Sequence, residues 1–413
     1  MFMKYIECTG CGERYPVTVI YNCRKCGGVL DIKYDYDKIA TETDLRQPRQ
    51  RNQGIWGYKE LLPVRNQDKI ISLSEGFTPL HKCDRLGEIL GLRNLYVKDE
   101  TRNPTGSFKD RPISVAVTKA REFGARTITS SSSGNAGCAL AAYAAKAGLP
   151  CVIFAPDSTI DAKLMPIASF ASRIVIVDGT VSDAFDLAKK ASEHYGWFNA
   201  TSTFINPYQV EGDKTVAYEI YDELDWKVPY WVIVPIGAGP LLVGCLKGFK
   251  ELELLNYSTE LPHMVGIQAE GCAPISKAFK ENATQVKPWG RPTTIVSAIA
   301  DPLAGYPQDG TYTLKNILES GGIADSCSDT DILDGAKLLA KKEGIFAEPA
   351  GAAPIAGARK LFEERKIDSD EIVVCLVTGT GLKHSGGEFF QRPKPIRPDF
   401  HEFSQLIEKE GTL

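Results

Sequence analysis

Residues 126–148, RTITSSSSGNAGCALAAYAAKAG, decide the fold class, because the pattern changes from a strand to a helix within them. A short β-rich stretch ends in a turn of serine and glycine, and an alanine-rich stretch typical of a helix follows. Similar apolar strands recur along the chain as CVIFAP (151–156), RIVIVDG (173–179), WVIVPIG (231–237) and EIVVCLVTGTG (371–381). Because helical patterns alternate with these strands, the sequence predicts an α/β layered fold with a mostly parallel sheet.

The composition is that of an ordinary globular protein. The chain has 413 residues, a length that is enough for two or more domains. Of these residues 43% are hydrophobic and 24% are charged. The net charge of -4 and the absence of a lysine and arginine block argue against a nucleic-acid partner. The first ten residues contain no apolar signal core. We therefore expect a soluble, cytoplasmic protein that binds neither nucleic acid nor a membrane.

Four of the eleven cysteines lie close together near the N-terminus, within ECTGCGERYPVTVIYNCRKCGG (7–28). They form two C-x-x-C pairs, each followed by glycine, on either side of a stretch, YPVTVIY, that alternates like a strand. Four thiolates in this pattern are typical of a closed, structural zinc site. The predicted ligands are Cys8, Cys11, Cys23 and Cys26. The other seven cysteines are scattered singly, and we expect them to be free thiols.

The segment NPTGSFKDRP (103–112) places one lysine between a turn and the predicted start of a helix. Pro112 suits a first helical turn, and Asp110 is the expected N-cap. Lys109 then lies at the positive end of that helix, where the field and burial favour a neutral amine. A neutral lysine can act as a base or form a Schiff base. The alternative interpretation is a surface lysine beside a capped helix.

Two loops add possible sites for anions. Thr129–Leu140 joins a strand to a helix through serines, whose hydroxyls, with the first helical N–H groups, suit a carboxylate. Val234–Gly244 is glycine-rich and suits a phosphate, and it also resembles an imperfect dinucleotide fingerprint with Glu270 as the ribose ligand. One amine and two anion sites suit pyridoxal phosphate bound to a lysine. A nicotinamide-dependent oxidoreductase is the alternative from a different class, and a zinc-ribbon interaction protein with a degenerate enzyme body is a third.

Several motifs, in order over about residues 72–390, carry a resemblance to a known family. The chain resembles the threonine synthase branch of the fold type II (tryptophan synthase β-like) pyridoxal-phosphate enzymes, and its N-terminal cysteines resemble the zinc ribbon found ahead of such domains. The matching motifs are SEGFTPL (74–80), NPTGSFKDR (103–111), SSGNAG (132–137), INPYQVEGDKT (205–215), EPAGAAPIAG (348–357) and VTGTGLK (377–383).

The resemblance implies a zinc ribbon followed by two three-layer α/β/α domains with mostly parallel sheets, in a homodimer. The implied parts are a zinc-ribbon-like module (1–34), a connecting arm (35–74), a large cofactor-binding domain (75–112 and 216–390), a smaller α/β domain (113–215) and a C-terminal tail (391–413).

The resemblance also assigns roles to residues. Lys109 carries the cofactor as a Schiff base and later moves protons. The remaining cofactor contacts it implies are Asn135 at the phenolic oxygen, Gly237, Ala238, Gly239, Pro240 and Leu241 at the phosphate, and Thr378 at the pyridine nitrogen. The substrate contacts it implies are Ser132, Ser133, Asn135, Ala136 and Gln209. Glu348 is either a helix-start carboxylate or part of a shell around a cation or the cofactor.

The activity implied is that of a carbon–oxygen lyase that converts O-phosphohomoserine to threonine and phosphate, by elimination and then addition of water. Two positions depart from the usual pattern: Gln209 stands where arginine is typical, and the phosphate loop is GAGPL rather than GNAGN. A serine/threonine dehydratase and a cysteate synthase-like replacement on O-phosphoserine therefore remain alternatives. If the substrate carries a phosphate, the cations available near these motifs are Lys214, Arg111 and Lys163.

Overall fold

The computed structural model describes residues 2–47, 49–170 and 172–383, and three β-sheets organise them. The first is a small antiparallel sheet at the N-terminus, in the order β2-β1-β3. Its strands are β1 (Met3–Cys8), β2 (Arg14–Tyr15) and β3 (Leu30–Tyr34). The longer strand predicted over YPVTVIY is wrong, because β2 ends at Tyr15 and residues 16–21 form no strand. Pro16 has no N–H to donate to a ladder.

The largest sheet has six strands in the order β12-β11-β10-β13-β5-β4. They are β4 (Leu80–Lys82), β5 (Asn94–Asp99), β10 (Trp231–Pro235), β11 (His263–Ala269), β12 (Ile323–Cys327) and β13 (Ile372–Val377). All neighbours are parallel except β4, which pairs antiparallel at the edge. The central strands are buried along nearly their whole length, as expected of a parallel sheet covered on both faces.

A second parallel sheet has four strands in the order β8-β7-β6-β9. They are β6 (Ile128–Ser131), β7 (Cys151–Pro156), β8 (Arg173–Val177) and β9 (Phe198–Asn199). The predicted α/β fold with mostly parallel sheets is confirmed. The exact domain boundaries stay a prediction, and the C-terminal tail (391–413) lies outside the described residues.

Thirteen α-helices connect and cover these sheets within the described ranges. They are α1 (Tyr36–Glu42), α2 (Asp84–Leu90), α3 (Asp110–Glu122), α4 (Asn135–Ala147), α5 (Asp161–Ser169), α6 (Val181–Tyr195), α7 (Pro207–Asp213), α8 (Thr215–Glu223), α9 (Pro240–Leu254), α10 (Pro274–Lys280), α11 (Pro307–Glu319), α12 (Asp329–Glu343) and α13 (Pro349–Glu363). Five of them begin with proline, which the first helical position tolerates because its N–H has no intrahelical partner.

Shorter 3-10 helices cover Arg51–Leu61, Gln67–Lys69, Glu100–Arg102, Ser297–Ile299 and Gly381–Lys383. Over the part of the chain that the structure describes, no helix combines the length and the apolar character needed to span a bilayer.

The segment predicted as a connecting arm (35–74) packs against the protein body. Its 3-10 helix buries Ile55 and Trp56. The indole Nε1 of Trp56 donates hydrogen bonds to Glu75 Oε1 at 3.1 Å and to Ser114 Oγ at 2.9 Å. This segment therefore has no regular hydrophobic pattern because much of it is a 3-10 helix held by a few buried side chains, and it is not a loose linker.

A cluster of buried charges fastens the N-terminal sheet to α7 and α9. We call its five members the ribbon network: Asp31, Glu211, Lys214, Lys247 and Glu251. Lys247 reaches both Asp31 and Glu211 at 2.6 Å, and Lys214 reaches Glu211 at 2.6 Å and Glu251 at 2.9 Å. Every charge in the cluster has an opposite partner, which is the condition under which buried charges are tolerated. The network holds two helices that also border the candidate site.

Candidate active site

Lys109 is the N-cap residue of α3, at the end of a turn that leads from β5. Its side chain is half-buried, and its amine donates a hydrogen bond to Ser202 Oγ at 2.5 Å. The amine also lies 4.4 Å from the centroid of the Phe108 ring. Burial lowers the pKa of Lys109, while the charges of nearby carboxylates oppose the shift. The structure therefore provides an amine that gives up its proton more readily than an exposed lysine.

The helix start differs by one residue from the expectation. Asp110 was predicted as the N-cap, but it is the first helical residue and Lys109 occupies the cap. The Asp110 carboxylate points back to the preceding turn, where it accepts hydrogen bonds from Thr105 N at 3.2 Å and Thr105 Oγ1 at 2.9 Å. It thus closes the turn that presents Lys109. Burial raises the pKa of Asp110 to about 7.

The end of β13 lies directly beside this turn. Phe108 N donates to Thr378 O at 2.9 Å, and Thr380 N donates to Gly106 O at 2.9 Å. Thr378 is buried. Because these backbone bonds join residues far apart in sequence, the predicted pyridine-side residue Thr378 is adjacent in space to the residue before Lys109.

The loop ahead of α4 reaches the same region from the smaller parallel sheet. Ser132 and Ser133 are half-buried, Ala136 is buried, and Asn135 is the first residue of α4. The Asn135 amide donates to Glu348 Oε1 at 2.8 Å. The same Glu348 oxygen lies 2.5 Å from where a Cβ on Gly379 would stand, so a side chain at this position would displace the Glu348 carboxylate. Asn135, Glu348 and the end of β13 therefore converge.

The predicted phosphate loop (237–241) joins β10 to the first turn of α9. Gly239 has a φ of +99° and begins the helix as its N-cap. A Cβ at this position would lie 2.4 Å from Thr313 Cγ2, while Thr313 Oγ1 donates to Ala238 O at 2.6 Å. The loop is therefore a tight backbone turn at the N-terminus of a fifteen-residue helix, a geometry that suits a phosphate group.

The negative charges of three acidic side chains favour the protonated form of the Lys109 amine and so raise its pKa. They are Asp213 at the end of α7, Asp301 in the loop before α11, and Glu348 before α13. Asp301 also borders the phosphate loop, because a Cβ on Gly237 would lie 3.0 Å from Asp301 Cβ. The sequence analysis missed Asp213, Asp301 and Ser202. Asp213 lies inside a matching motif, but nothing in its local pattern indicated that it would face a lysine a hundred residues earlier.

The structure places the residues expected near the substrate phosphate in very different surroundings. Gln209 is buried in α7, and its amide donates to Ala200 O at 2.9 Å. Lys214 belongs to the ribbon network, and Arg111 is buried between Glu100 and Glu219. Both cations are thereby removed as candidates for the substrate phosphate. Lys163 in α5 is half-buried, and its amine donates to a neutral partner, Ser297 Oγ, at 3.1 Å.

The four N-terminal cysteines form one cluster, with all Sγ atoms within 4.8 Å of one another. Three Sγ–Sγ distances lie between 3.4 and 3.6 Å. A tetrahedral zinc ion with Zn–S bonds of about 2.3 Å separates its sulfurs by about 3.8 Å. The donor set and spacing therefore fit a zinc ion. The other seven cysteines are buried and form no disulfide within the described residues.

A family model described as pyridoxal-phosphate dependent enzyme matches residues 71–379. The chain belongs to this family. It is 43% identical to the threonine synthase of Methanocaldococcus jannaschii over 95% of this chain and 96% of the relative. It is 42% identical to the threonine synthase of Methanosarcina acetivorans over 92% of each chain.

Solved structures with a similar fold include threonine deaminase isoform 2 from Solanum lycopersicum and maize serine racemase. The first has a TM-score of 0.64 and 22% identity, and covers 81% of this chain and 83% of its own. The second has a TM-score of 0.63 and 20% identity, and covers 81% of this chain and 93% of its own. These neighbours confirm the fold type II architecture.

The protein is a pyridoxal-phosphate-dependent, threonine synthase-like lyase, and the alternative of a nicotinamide-dependent oxidoreductase is excluded by the family. Glu270, the ribose ligand of that alternative, is exposed. The side chains present fit the cofactor: the Lys109 amine, the phosphate loop and the end of β13 surround one region. Within the described residues, two buried polar atoms there, Ser107 Oγ and Asp213 Oδ1, also have no hydrogen-bond partner in the protein.

Proposed function

We propose that the protein is a threonine synthase, which converts O-phosphohomoserine and water to threonine and phosphate. The observation that carries this proposal is the 43% identity to a threonine synthase over 95% of the chain. The site supports it, because a lysine of lowered pKa, a loop that suits an anion and a second lysine, Lys163, whose amine donates to a hydroxyl all follow strands of the two parallel sheets.

Pyridoxal phosphate, when bound, supplies an electron sink that lets protons leave the carbon atoms of an amino acid. The chain supplies the group that takes and returns those protons, which we assign to the Lys109 amine. Its lowered pKa favours the neutral form that can accept a proton. The backbone N–H groups at Gly239–Leu241 would hold the cofactor phosphate, and Thr378 would meet the pyridine nitrogen.

The substrate would be held at both of its charged ends. Ser132, Ser133 and the backbone at Asn135–Ala136 form the start of α4 and would bind the carboxylate. Lys163 on α5 is the cation we assign to the departing phosphate, because its amine donates to a hydroxyl, Ser297 Oγ, rather than to a carboxylate. Gln209 stays a predicted substrate contact, although its amide already bonds to Ala200.

A substrate panel tests this function. The purified enzyme is offered O-phosphohomoserine, O-phosphoserine, threonine and serine, and phosphate, ammonia and amino-acid products are followed separately. A threonine synthase releases phosphate and threonine in equal amounts from O-phosphohomoserine, without ammonia. Ammonia released from threonine or serine, with no phosphate released from the phosphorylated substrates, would instead establish a dehydratase. Turnover of O-phosphoserine alone would establish a β-replacement enzyme.

We further propose that the cysteine cluster binds one zinc ion per chain. Cys23→Ser with Cys26→Ser should abolish zinc binding, measured by elemental analysis of the purified protein, and should expose residues within 1–34 to protease. Cys327→Ala, a buried cysteine on β12, is the matched control and should retain the metal. Unchanged zinc content in the double variant would contradict the proposal. A cytoplasmic location and a homodimer stay predictions.

A further inference from the structure

Asp213 is a buried carboxylate with an unsatisfied oxygen at the end of α7, which packs against the first turn of α3. It is 1% exposed, and within the described residues its Oδ1 accepts no hydrogen bond from the protein. The residue before it, Gly212, packs against the first turn of α3, where a Cβ would lie 2.3 Å from Arg111 O. Burying a carboxylate without partners is costly, so its retention at this position calls for a cation nearby.

The charged groups around Asp213 leave Lys109 as that cation. On α3 lie Lys109 and Arg111, on the adjoining 3-10 helix lies Glu100, and on α9 lies the thiol of Cys245. The Arg111 guanidinium is already bound by Glu100 and Glu219. Asp213 is the first of the carboxylates whose charge favours the protonated form of Lys109. Burial raises the pKa of Asp213 to about 7, so both members of this pair are biased toward their neutral forms.

The other two carboxylates near Lys109 are less able to do this. Asp301 Oδ1 accepts hydrogen bonds from Leu303 N at 2.9 Å and from Tyr306 Oη at 3.0 Å. Glu348 Oε1 accepts one from the Asn135 amide. These donors stabilise their negative charge locally, whereas the charge on Asp213 is favoured mainly by the nearby cations, Lys109 first and Arg111 second.

We propose that Asp213 is a positioning residue that governs whether Lys109 carries a proton. When the amine is protonated, the Asp213 carboxylate stabilises it; when the amine passes that proton to the carboxylate, both groups become neutral, so the pair carries no net charge in either state. During turnover, the Lys109 amine can therefore alternate between accepting and returning a proton. The inference rests on the proposed role of Lys109 as the cofactor-bearing amine.

The test measures the proton affinity of Lys109 in the full chain after the cofactor has been removed. The rate at which an acylating reagent labels Lys109 is followed by mass spectrometry as a function of pH, since only the neutral amine reacts. Asp213→Asn should move the midpoint for Lys109 down by at least about one pH unit, because a nearby opposite charge is lost. Asp213→Glu should restore part of the shift.

Asp309→Asn is the matched control. Asp309 is also a buried aspartate whose pKa burial raises to about 7, but its carboxylate accepts from Phe204 N and it is not among the groups that act on Lys109. Its substitution should leave the Lys109 midpoint in place. An unchanged midpoint in Asp213→Asn, or an equal shift in Asp309→Asn, would overturn the inference.

Lys109→Met provides a second measurement that leaves Asp213 intact. Without the cation, the Asp213 pKa rises further above its unfolded value, so the native state binds an extra proton over a wider range. The stability contributed by the protonated carboxyl is then fully present below about pH 4 and falls as pH rises to the folded pKa, which is about 7 in the wild type and higher in the variant. The fall in stability should therefore continue to higher pH in the variant, and the same pH range in the two proteins would also overturn the inference. Both measurements use cofactor-free protein, so a failure here is distinct from failure of Lys109 to bind the cofactor.

Discussion

Lys109 and Arg111 lie two residues apart at the start of α3, and their charges are treated in opposite ways. Arg111 is fully buried and bonds through Nε to Glu100 at 2.7 Å and through both terminal nitrogens to Glu219. Burial alone would lower the pKa of Arg111, but the two carboxylates raise it well above its usual value. At Lys109, burial outweighs the nearby acids and lowers the pKa.

This difference between Arg111 and Lys109 shows that the partners of a charged side chain decide whether it stabilises the fold or takes part in chemistry. The Arg111 guanidinium donates to the carboxylates of Glu100 and Glu219 and to the Thr215 hydroxyl, so it cannot release its proton or bind a ligand, and it holds elements together. An amine whose main polar partner is the hydroxyl of Ser202 can still change its protonation state. The ribbon network belongs with Arg111 in this respect, because each of its charges has a close opposite partner.

The largest effect is expected at Lys109 itself. Lys109→Ala should lower turnover by at least about 10³-fold, since it removes the proposed proton-transfer group as well as the cofactor linkage. The folded state should remain intact, because the lowered pKa of this half-buried amine means that its charge does not stabilise the fold. Borohydride reduction of the wild-type enzyme, followed by peptide mapping, should find the cofactor on Lys109. Cofactor trapped on any other lysine would break the comparison.

Arg111 should show the opposite behaviour. Arg111→Met leaves Glu100 buried without its cation and leaves Glu219 with Lys98 as its partner, and breaking a buried pair of this kind costs about 3–5 kcal/mol. We expect a lower melting temperature and poor recovery of folded protein, with any activity loss following from unfolding. Arg126→Met, at an exposed arginine just after α3, is the control and should melt like the wild type. A variant at 111 that melts normally but loses turnover would place Arg111 in the chemistry.

Lys163 is a third lysine or arginine to compare with Arg111 and Lys109. It is half-buried, and its amine donates to a neutral hydroxyl. Lys163→Met should raise KM for O-phosphohomoserine about 10-fold, the effect of losing one hydrogen bond to a charged group of roughly 1.5 kcal/mol. The midpoint of thermal unfolding should not change. Lys146→Met, at an exposed lysine on α4, should affect neither quantity. An unchanged KM at position 163 would show that the phosphate is bound elsewhere.

Much of the fold could be predicted from the chain. The apolar strands at 151–156, 173–179, 231–237 and 371–381 all became strands of parallel sheets, because β-rich runs bounded by glycine and proline leave little choice. Prediction failed at YPVTVIY, where the alternating pattern indicated a strand but the proline after Tyr15 ended it early. The segment predicted as a connecting arm (35–74) had no apolar period to predict the 3-10 helix that buries Ile55 and Trp56.

The sequence by itself determined the elements that depend on neighbours along the chain: the turn before Lys109, the glycine loop ahead of α9, and the paired cysteines. Which charges are paired was decided only by tertiary structure. Arg111 and Lys109 share a motif and a helix start, yet Arg111 is paired with Glu100 and Glu219. Lys109 instead donates to Ser202 and is affected by the charge of Asp213. The physical reason is that burial and the distances between charges set the affinity of a side chain for a proton. Both are fixed only when segments distant in sequence pack together.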